Sequence, residues 1–232
     1  MRRKPVVALD GPVGVGKSTV ARKLARRLGF LYIDTGAMYR AVALDALRQG
    51  VPLEDFEAVG RRVGSLEIRL VPEDEGTRVF CNGEDVTEAI RAPEVSRATS
   101  PIADNPAVRA RLVALQRAMG AGGGVVMEGR DIGTVVFPDA EAKFYLDARA
   151  EIRAERRARQ MEAAGRATDR ASILADLLER DRRDRSRPVG ALRVADGAEI
   201  VDTSDMSEDE VVEALAQRIV RLTFPRPGGR CP

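Results

Sequence analysis

Gly11-Pro-Val-Gly-Val-Gly-Lys-Ser18 follows the apolar run Val6-Val-Ala-Leu9 and precedes a helix-favouring segment, Thr19 to Leu28. The stretch reads G-x-x-x-x-G-K-[ST] between a strand and a helix, which is the setting of a phosphate-binding loop. Its glycines let the backbone wrap closely around an anion. Successive N–H groups then point inward, and the helix N-terminus adds partial positive charge. Lys17 would reach the β- and γ-phosphates of a nucleoside triphosphate, and Ser18 would hold Mg²⁺. A chance match in a turn is the bland alternative, and the correct flanking elements argue against it. The loop does not say what is done with the triphosphate.

The rest of the composition narrows the choice. The chain has 232 residues, 44% of them hydrophobic and 32% charged, which suits one globular enzyme domain with a sizeable core. A formal net charge of +2 demands neither nucleic acid nor an anionic membrane as partner. No apolar run approaches the length of a membrane span, and Met1-Arg-Arg-Lys-Pro5 leads directly into a strand without a signal-peptide core. Cys81 and Cys231 lie far apart and fit no metal spacing, so a reducing cytoplasm is the expected location. There is no histidine, which removes Ser-His triads, metalloprotease helices and the His-containing loop of protein kinases. Lysine is confined to Lys4, Lys17, Lys23 and Lys143, and every other cationic side chain is arginine, whose planar fork suits phosphate.

Along the chain, a strand at Val6–Asp10, a helix at Lys17–Leu28, a strand at Leu31–Asp34 and a helix at about Met38–Gln49 make a βαβα pattern. The character then changes. Ser65–Val71 and Thr77–Cys81 alternate apolar and polar residues around Glu73–Gly76, which predicts an antiparallel hairpin, and Asn82-Gly83 is a further turn. The insert ends near Ala98, before a helix at Pro106–Met119. Strands are expected at Gly123–Glu128, Ala142–Leu146 and Glu199–Asp202. Helices are expected at Glu151–Ala164, Ala171–Arg187 and Ser207–Thr223, the last with a Ser207/Glu210 capping box. The expected architecture is α/β: a parallel P-loop sheet flanked by helices, with a small antiparallel insert and a helical lid. The core covers about 1–62, 99–148 and 189–224, the insert about 63–98, the lid about 149–188, and a loose tail 225–232.

Two further motifs leave strands at the edge of the sheet where ligands bind. In Asp34-Thr-Gly-Ala-Met-Tyr-Arg40, Gly36 permits a tight turn and Arg40 is a candidate anion clamp. In Glu128-Gly-Arg-Asp-Ile-Gly-Thr134, Gly129 and Gly133 allow irregular backbone around Arg130 and Asp131. Asp131, acceptor-only when ionised, suits an exocyclic amino group or an arginine; a Mg²⁺-facing role is its rival reading. Arg180, Asp184 and Arg187 share one helix face, and Arg153, Arg156 and Arg157 share another. Two arginine-bearing helices separated by Gly165 would make a lid that excludes water, although an ordinary solvated pair of helices would carry similar charges.

With these motifs the chain resembles the bacterial cytidylate kinases, a family of P-loop nucleoside monophosphate kinases, from Val6 to about Leu222. The resemblance rests on the phosphate loop, on 34–40 and 128–134, on Asn82-Gly-Glu-Asp-Val86, Ile90-Arg91 and Pro93-Glu-Val-Ser96, on Ser100 with Arg109, and on Arg180-Asp-Arg-Arg-Asp184 with Arg187. It implies ATP as donor, CMP or dCMP as acceptor, and Mg²⁺ as cofactor. It implies that Gly11, Pro12, Val13, Gly14, Val15, Gly16, Lys17, Ser18 and Thr19 surround ATP, with Arg156 reaching it from the lid. Arg40, Arg130 and Arg187 would hold the phosphate of CMP, Ser100, Arg109 and Asp131 would read cytosine, Asp184 would bind the ribose, and Arg180 would sit near sugar and phosphate. Lys17, Arg130, Asp184 and Arg187 would be the catalytic set. One departure is visible: the family's Ala-Pro-Leu is Gly190-Ala191-Leu192 here.

A monomer without nucleic-acid or membrane partners is expected. The alternatives are another small-molecule or UMP-preferring kinase of this fold, a GTPase switch, for which no Asn-Lys-x-Asp stretch exists, and an RNA-binding protein using the 149–187 region.

Overall fold

The computed structural model describes residues 4–73, 76–163 and 165–223. Its centre is a five-stranded parallel sheet of β1 (Val6–Asp10), β2 (Leu31–Asp34), β6 (Val125–Gly129), β7 (Ala142–Asp147) and β8 (Glu199–Asp202), in the spatial order β2-β6-β1-β7-β8. Side chains of β1 alternate between two cores, as strand geometry requires. Val7 and Leu9 pack with α1 (Lys17–Leu28) and α8 (Glu208–Thr223) on one face. Val6 and Ala8 pack with Ile33, Met127, Ile132 and Val136 on the other.

Helix α2 (Thr35–Arg48) begins three residues earlier than its apolar pattern suggests, because Asp34 caps it by accepting from Ala37 N at 2.9 Å. Gly36 therefore lies in the first helical turn rather than in a tight turn. A β-carbon there would stand 3.1 Å from both Arg40 Nη1 and Asp34 Oδ1, so this glycine makes room for their contact. The same correction applies to Gly129 and Gly133, which have ordinary backbone angles. A β-carbon on Gly129 would meet Ile132 and Thr35 at under 3 Å, so close packing is what requires it.

The insert's hairpin pairs β3 (Ile68–Glu73) with β4 (Gly76–Cys81) antiparallel, and β5 (Glu84–Asp85) adds a third strand beyond Asn82 and Gly83, both at positive φ. Two helices were not expected from the sequence. Helix α3 (Phe56–Ser65) is capped by Asp55 and buries only Val59 and Val63, and Gly60 and Gly64 dilute its helical signal. Gly60 lets it approach α5 (Pro106–Gly120): a β-carbon would lie 3.0 Å from that of Ala107. Helix α4 (Pro93–Asp104) runs on through position 98 and contains Pro101. These helices, α2 and the small sheet share one apolar core.

Helices α6 (Ala150–Ala163) and α7 (Arg170–Ser186) pack on each other through Ala154, Ala158, Ile173 and Leu177. Ser207 and Glu210 form the expected reciprocal cap at the start of α8. The tail 225–232, with Cys231, lies outside the described residues.

Candidate functional site

The phosphate loop spans from the end of β1 to the first turn of α1, at the C-terminal edge of the sheet. Gly11 has φ 151°, and a β-carbon would lie 2.2 Å from Leu146 O; Gly14 and Gly16 also have positive φ. The loop closes on its own lysine, since Lys17 Nζ donates to Pro12 O at 2.7 Å. Burial first, and then the guanidinium of Arg130, lower the Lys17 ammonium to about pKa 7, against the pull of Glu128, Asp184 and Asp10. Lys17 and Arg130 thus share one electrostatic pocket, and an anion between them would relieve both.

Beside the loop, Ser18 lies close enough to Tyr32 and Glu128 to favour the ionised form of each. Tyr32 Oη donates to Glu128 Oε1 at 2.6 Å, and Thr35 Oγ1 donates to the Glu128 carbonyl at 2.6 Å. Burial, and then the Asp34 carboxylate, raise Glu128 above the usual carboxylate range. The carboxylate next to Ser18 is therefore Glu128 and not Asp131. One hydroxyl and one carboxylate are hard oxygen donors, and so small a protein set suits an ion that keeps water and phosphate oxygens as its other ligands.

Across the edge lies an arginine cluster. Asp184 accepts from Arg130 Nε at 2.7 Å and forms an ion pair with Arg187 Nη2 at 2.8 Å. Burial opposes ionisation of Asp184, but Arg130 and Arg187 outweigh it and hold the carboxyl below its usual value. Arg187 also donates to Asp104 at 2.7 Å and to Ser100 Oγ at 3.4 Å. Arg40 pairs with Asp34 at 2.8 Å. Arg180 has its pKa depressed by the crowded cleft around it first, and then by the charges of Arg130, Arg157 and Arg40, with Asp184 opposing. Four guanidinium groups converging on so few carboxylates leave a pocket short of negative charge, which an incoming phosphate would balance.

Arg109 and Asp131 form a buried ion pair. Arg109 Nε is buried without a partner among the described residues, a donor available to a ligand. Gly190, at φ 68°, lies against this pair: a β-carbon would stand 1.8 Å from Arg109 Nη2. The Gly190-Ala191-Leu192 departure thus packs onto the pair, and Leu192 N anchors it to Asp184 O at 2.8 Å.

A profile of the cytidylate kinases matches residues 7–221. The chain belongs to the cytidylate kinase family. It is 54% identical to the cytidylate kinase of Pelotomaculum thermopropionicum over 94% of this chain and 97% of that one. It is 51% identical to that of Mycolicibacterium paratuberculosis over 90% and 92%. A crystal structure of an uncharacterized protein from Eubacterium ventriosum superposes with a TM-score of 0.51 at 16% identity, covering 94% of this chain and 98% of that one, which shows the shared fold. Like its family, the chain is an ATP-dependent kinase with a P-loop. Among the described residues no helix is long and apolar enough to cross a membrane.

The phosphate loop and the 34–40 and 128–134 motifs leave β1, β2 and β6 at one edge of the parallel sheet, whereas 82–86 lies in the insert's antiparallel sheet. Arg156 donates to Thr203 Oγ1 at 3.0 Å, to Met206 O and to Val15 O, so it ties the loop after β8 to the phosphate loop. Four sets of contacts were not foreseen from the sequence. Asp10 accepts from Ile132 N at 2.8 Å and Gly133 N at 2.7 Å and so fixes the turn that carries Arg130 and Asp131. Glu128 faces Ser18, Arg157 joins the arginine cluster, and Arg153 pairs with Asp181 beneath the phosphate loop. A carboxylate at or next to the end of each of two neighbouring strands, Asp10 and Glu128, was the available signal for the first two.

Proposed function

We propose that this chain transfers the γ-phosphoryl group of ATP to the phosphate of CMP or dCMP, giving ADP and CDP or dCDP. Besides family membership, the observation that carries the reading is the pairing of Arg130 and Arg187 on Asp184 beside a phosphate loop whose Lys17 feels the Arg130 charge. In the transfer an acceptor phosphate oxygen forms the new bond to the γ-phosphorus as the bond to the β–γ bridging oxygen breaks. The acceptor phosphate is mostly dianionic at neutral pH, its second pKa being about 6, so no strong general base is required. That agrees with a chain lacking histidine.

The residues divide by side. Gly11 to Thr19 surround the triphosphate, Lys17 steadies its β- and γ-oxygens, and Arg156 lies at its far end. Ser18 and Glu128 would hold Mg²⁺, which supplies charge neutralisation at the β- and γ-phosphates. Arg40, Arg130, Arg180 and Arg187 hold the acceptor phosphate, and Asp184 orients Arg130 and Arg187 while accepting from the ribose. Ser100, Arg109 and Asp131 read the base: Asp131 accepts from the cytosine amino group and Arg109 donates to its ring acceptors. Residues 149–188 act as the lid and 63–98 as an insert on the acceptor side. We further propose a monomeric cytoplasmic enzyme without a nucleic-acid partner, consistent with the buried free thiol of Cys81.

The test is to incubate the chain with ATP, Mg²⁺ and CMP and follow the products by ³¹P NMR. Equal formation of ADP and CDP is expected. ADP with free phosphate and unchanged CMP would mean hydrolysis and would refute the reading.

A further inference from the structure

Beneath the phosphate loop a buried ion pair makes contacts that the transfer chemistry above does not use. Arg153 on α6 donates through Nη1 to Asp181 Oδ2 on α7 at 2.7 Å and to Val13 O at 2.9 Å, and through Nε to Ala148 O at 3.1 Å. Asp181 Oδ1 in turn accepts from Val13 N at 3.3 Å. Both backbone groups of one loop residue are therefore held by the two members of one ion pair. Gly14 is packed against the same place: a β-carbon there would lie 3.4 Å from Leu177 Cδ2 and 3.5 Å from Arg153 Cβ. Arg153 and Asp181 are 4% and 2% exposed.

Stability alone does not explain such a pair. Removing both charges from water costs several kcal/mol per ion, and well-packed apolar side chains of similar volume commonly do as well or better. What an apolar pair cannot do is fix both the N–H and the C=O of Val13. Asp181 also sits one residue after Arg180 and three before Asp184, on the buried face that α7 presents through Leu177, Asp181 and Asp184. Successive turns of one helix thus touch the phosphate loop, through Asp181, and the arginine cluster, through Asp184 with Arg130 and Arg187.

We propose that Arg153 and Asp181 are positioning residues that make donor and acceptor binding cooperative. They lock the Val13 peptide to the helix that carries Arg180 and Asp184, so that the loop conformation set by ATP also sets the acceptor arginines. The proposal rests on the donor and acceptor assignment made above.

Calorimetric titration of CMP, without and with a saturating non-hydrolysable ATP analogue, reads the coupling as a ratio of dissociation constants. The wild-type ratio should be about fivefold or more, the lower end of ordinary coupling between sites. Asp181→Asn should bring it close to one. Ile173→Ala, which thins the α6–α7 cluster on which Val13 packs but leaves both hydrogen bonds to the Val13 peptide in place, should keep the wild-type ratio. If Asp181→Asn does not fold, Arg153→Met is read in its place with the same expectation. A wild-type ratio of one, an Asp181→Asn or Arg153→Met variant that retains the wild-type ratio, or equal loss in Ile173→Ala would each overturn the proposal while leaving the assignment of CMP intact. A wild-type chain that binds the ATP analogue but never CMP would overturn both.

Discussion

Arg109 and Asp131 meet as a buried ion pair, with Gly190 packed over it and one guanidinium nitrogen without a partner among the described residues. A buried pair with a spare donor offers one acceptor and one donor side by side, the complement of the cytosine edge. Asp131→Ala would strand the Arg109 charge, and loss of one partner of a buried pair costs about 3–5 kcal/mol. Urea unfolding should show a loss of that size, and the preference for CMP over UMP should shrink in the folded fraction. Unchanged stability together with unchanged preference would contradict this role.

Arg130 is held by Asp184, and its charge reaches Lys17, so it should act most strongly when charge is spread over the transferring group. Arg130→Met should lower kcat roughly 10³-fold, about 4 kcal/mol, by comparison with arginines that act in phosphoryl transfer. KM for ATP should change far less than kcat. A defect confined to KM would place Arg130 in ground-state binding only.

Glu128 is held toward Ser18 by Tyr32, whose phenol is pushed up by burial first and then by the Glu128 and Asp34 charges, so that it stays a donor. Glu128→Gln should raise the Mg²⁺ concentration for half-maximal rate by roughly tenfold, as changes around metal ligands do. The Mg²⁺-dependent part of ADP binding, read by calorimetry, should weaken in parallel. Tyr32→Phe should move both in the same direction by less.

Asp10 has a folded pKa of about 6 against 3.8, because burial outweighs its bonds from Gly133 and Ile132. Between those values the native chain keeps a proton that the unfolded chain has lost. Stability from this residue is therefore greatest at about pH 4 and falls as pH rises to about 6, by about 3 kcal/mol in all. Asp10→Asn has no such titration. The stability difference between wild type and variant, from urea unfolding at pH 4 to 7, should shift against the wild type by about that amount, and a difference independent of pH would contradict it.

How much of this was legible in the sequence varied with distance along the chain. The phosphate loop, both strand-end motifs and the capping box of α8 depend on neighbours within a few residues, and they stand where their patterns put them. Helix α3 hid behind two glycines, and the use of one of them, the close approach of Gly60 to α5, appears only in three dimensions. Gly36, Gly129 and Gly133 were expected to bend the backbone and instead leave space for side chains. The clamp on Val13 joins residues 140 and 168 positions away, so its two charges looked like parts of ordinary solvated helix faces. Glu128 was visible in its motif, but only the fold brings it to Ser18 across two parallel strands.

The central claim is that a phosphate loop and a cytosine-reading acceptor site act on one transfer. Its most direct measurement is coupled ADP release with CMP, dCMP, UMP, AMP and GMP offered at equal concentration. CMP and dCMP should give kcat/KM values at least about 100-fold above GMP, which presents a carbonyl to Asp131, and above AMP, whose amino group matches Asp131 but whose ring system is larger. They should also exceed UMP, which lacks the amino group that Asp131 accepts. UMP, AMP or GMP turning over faster than CMP would contradict the account.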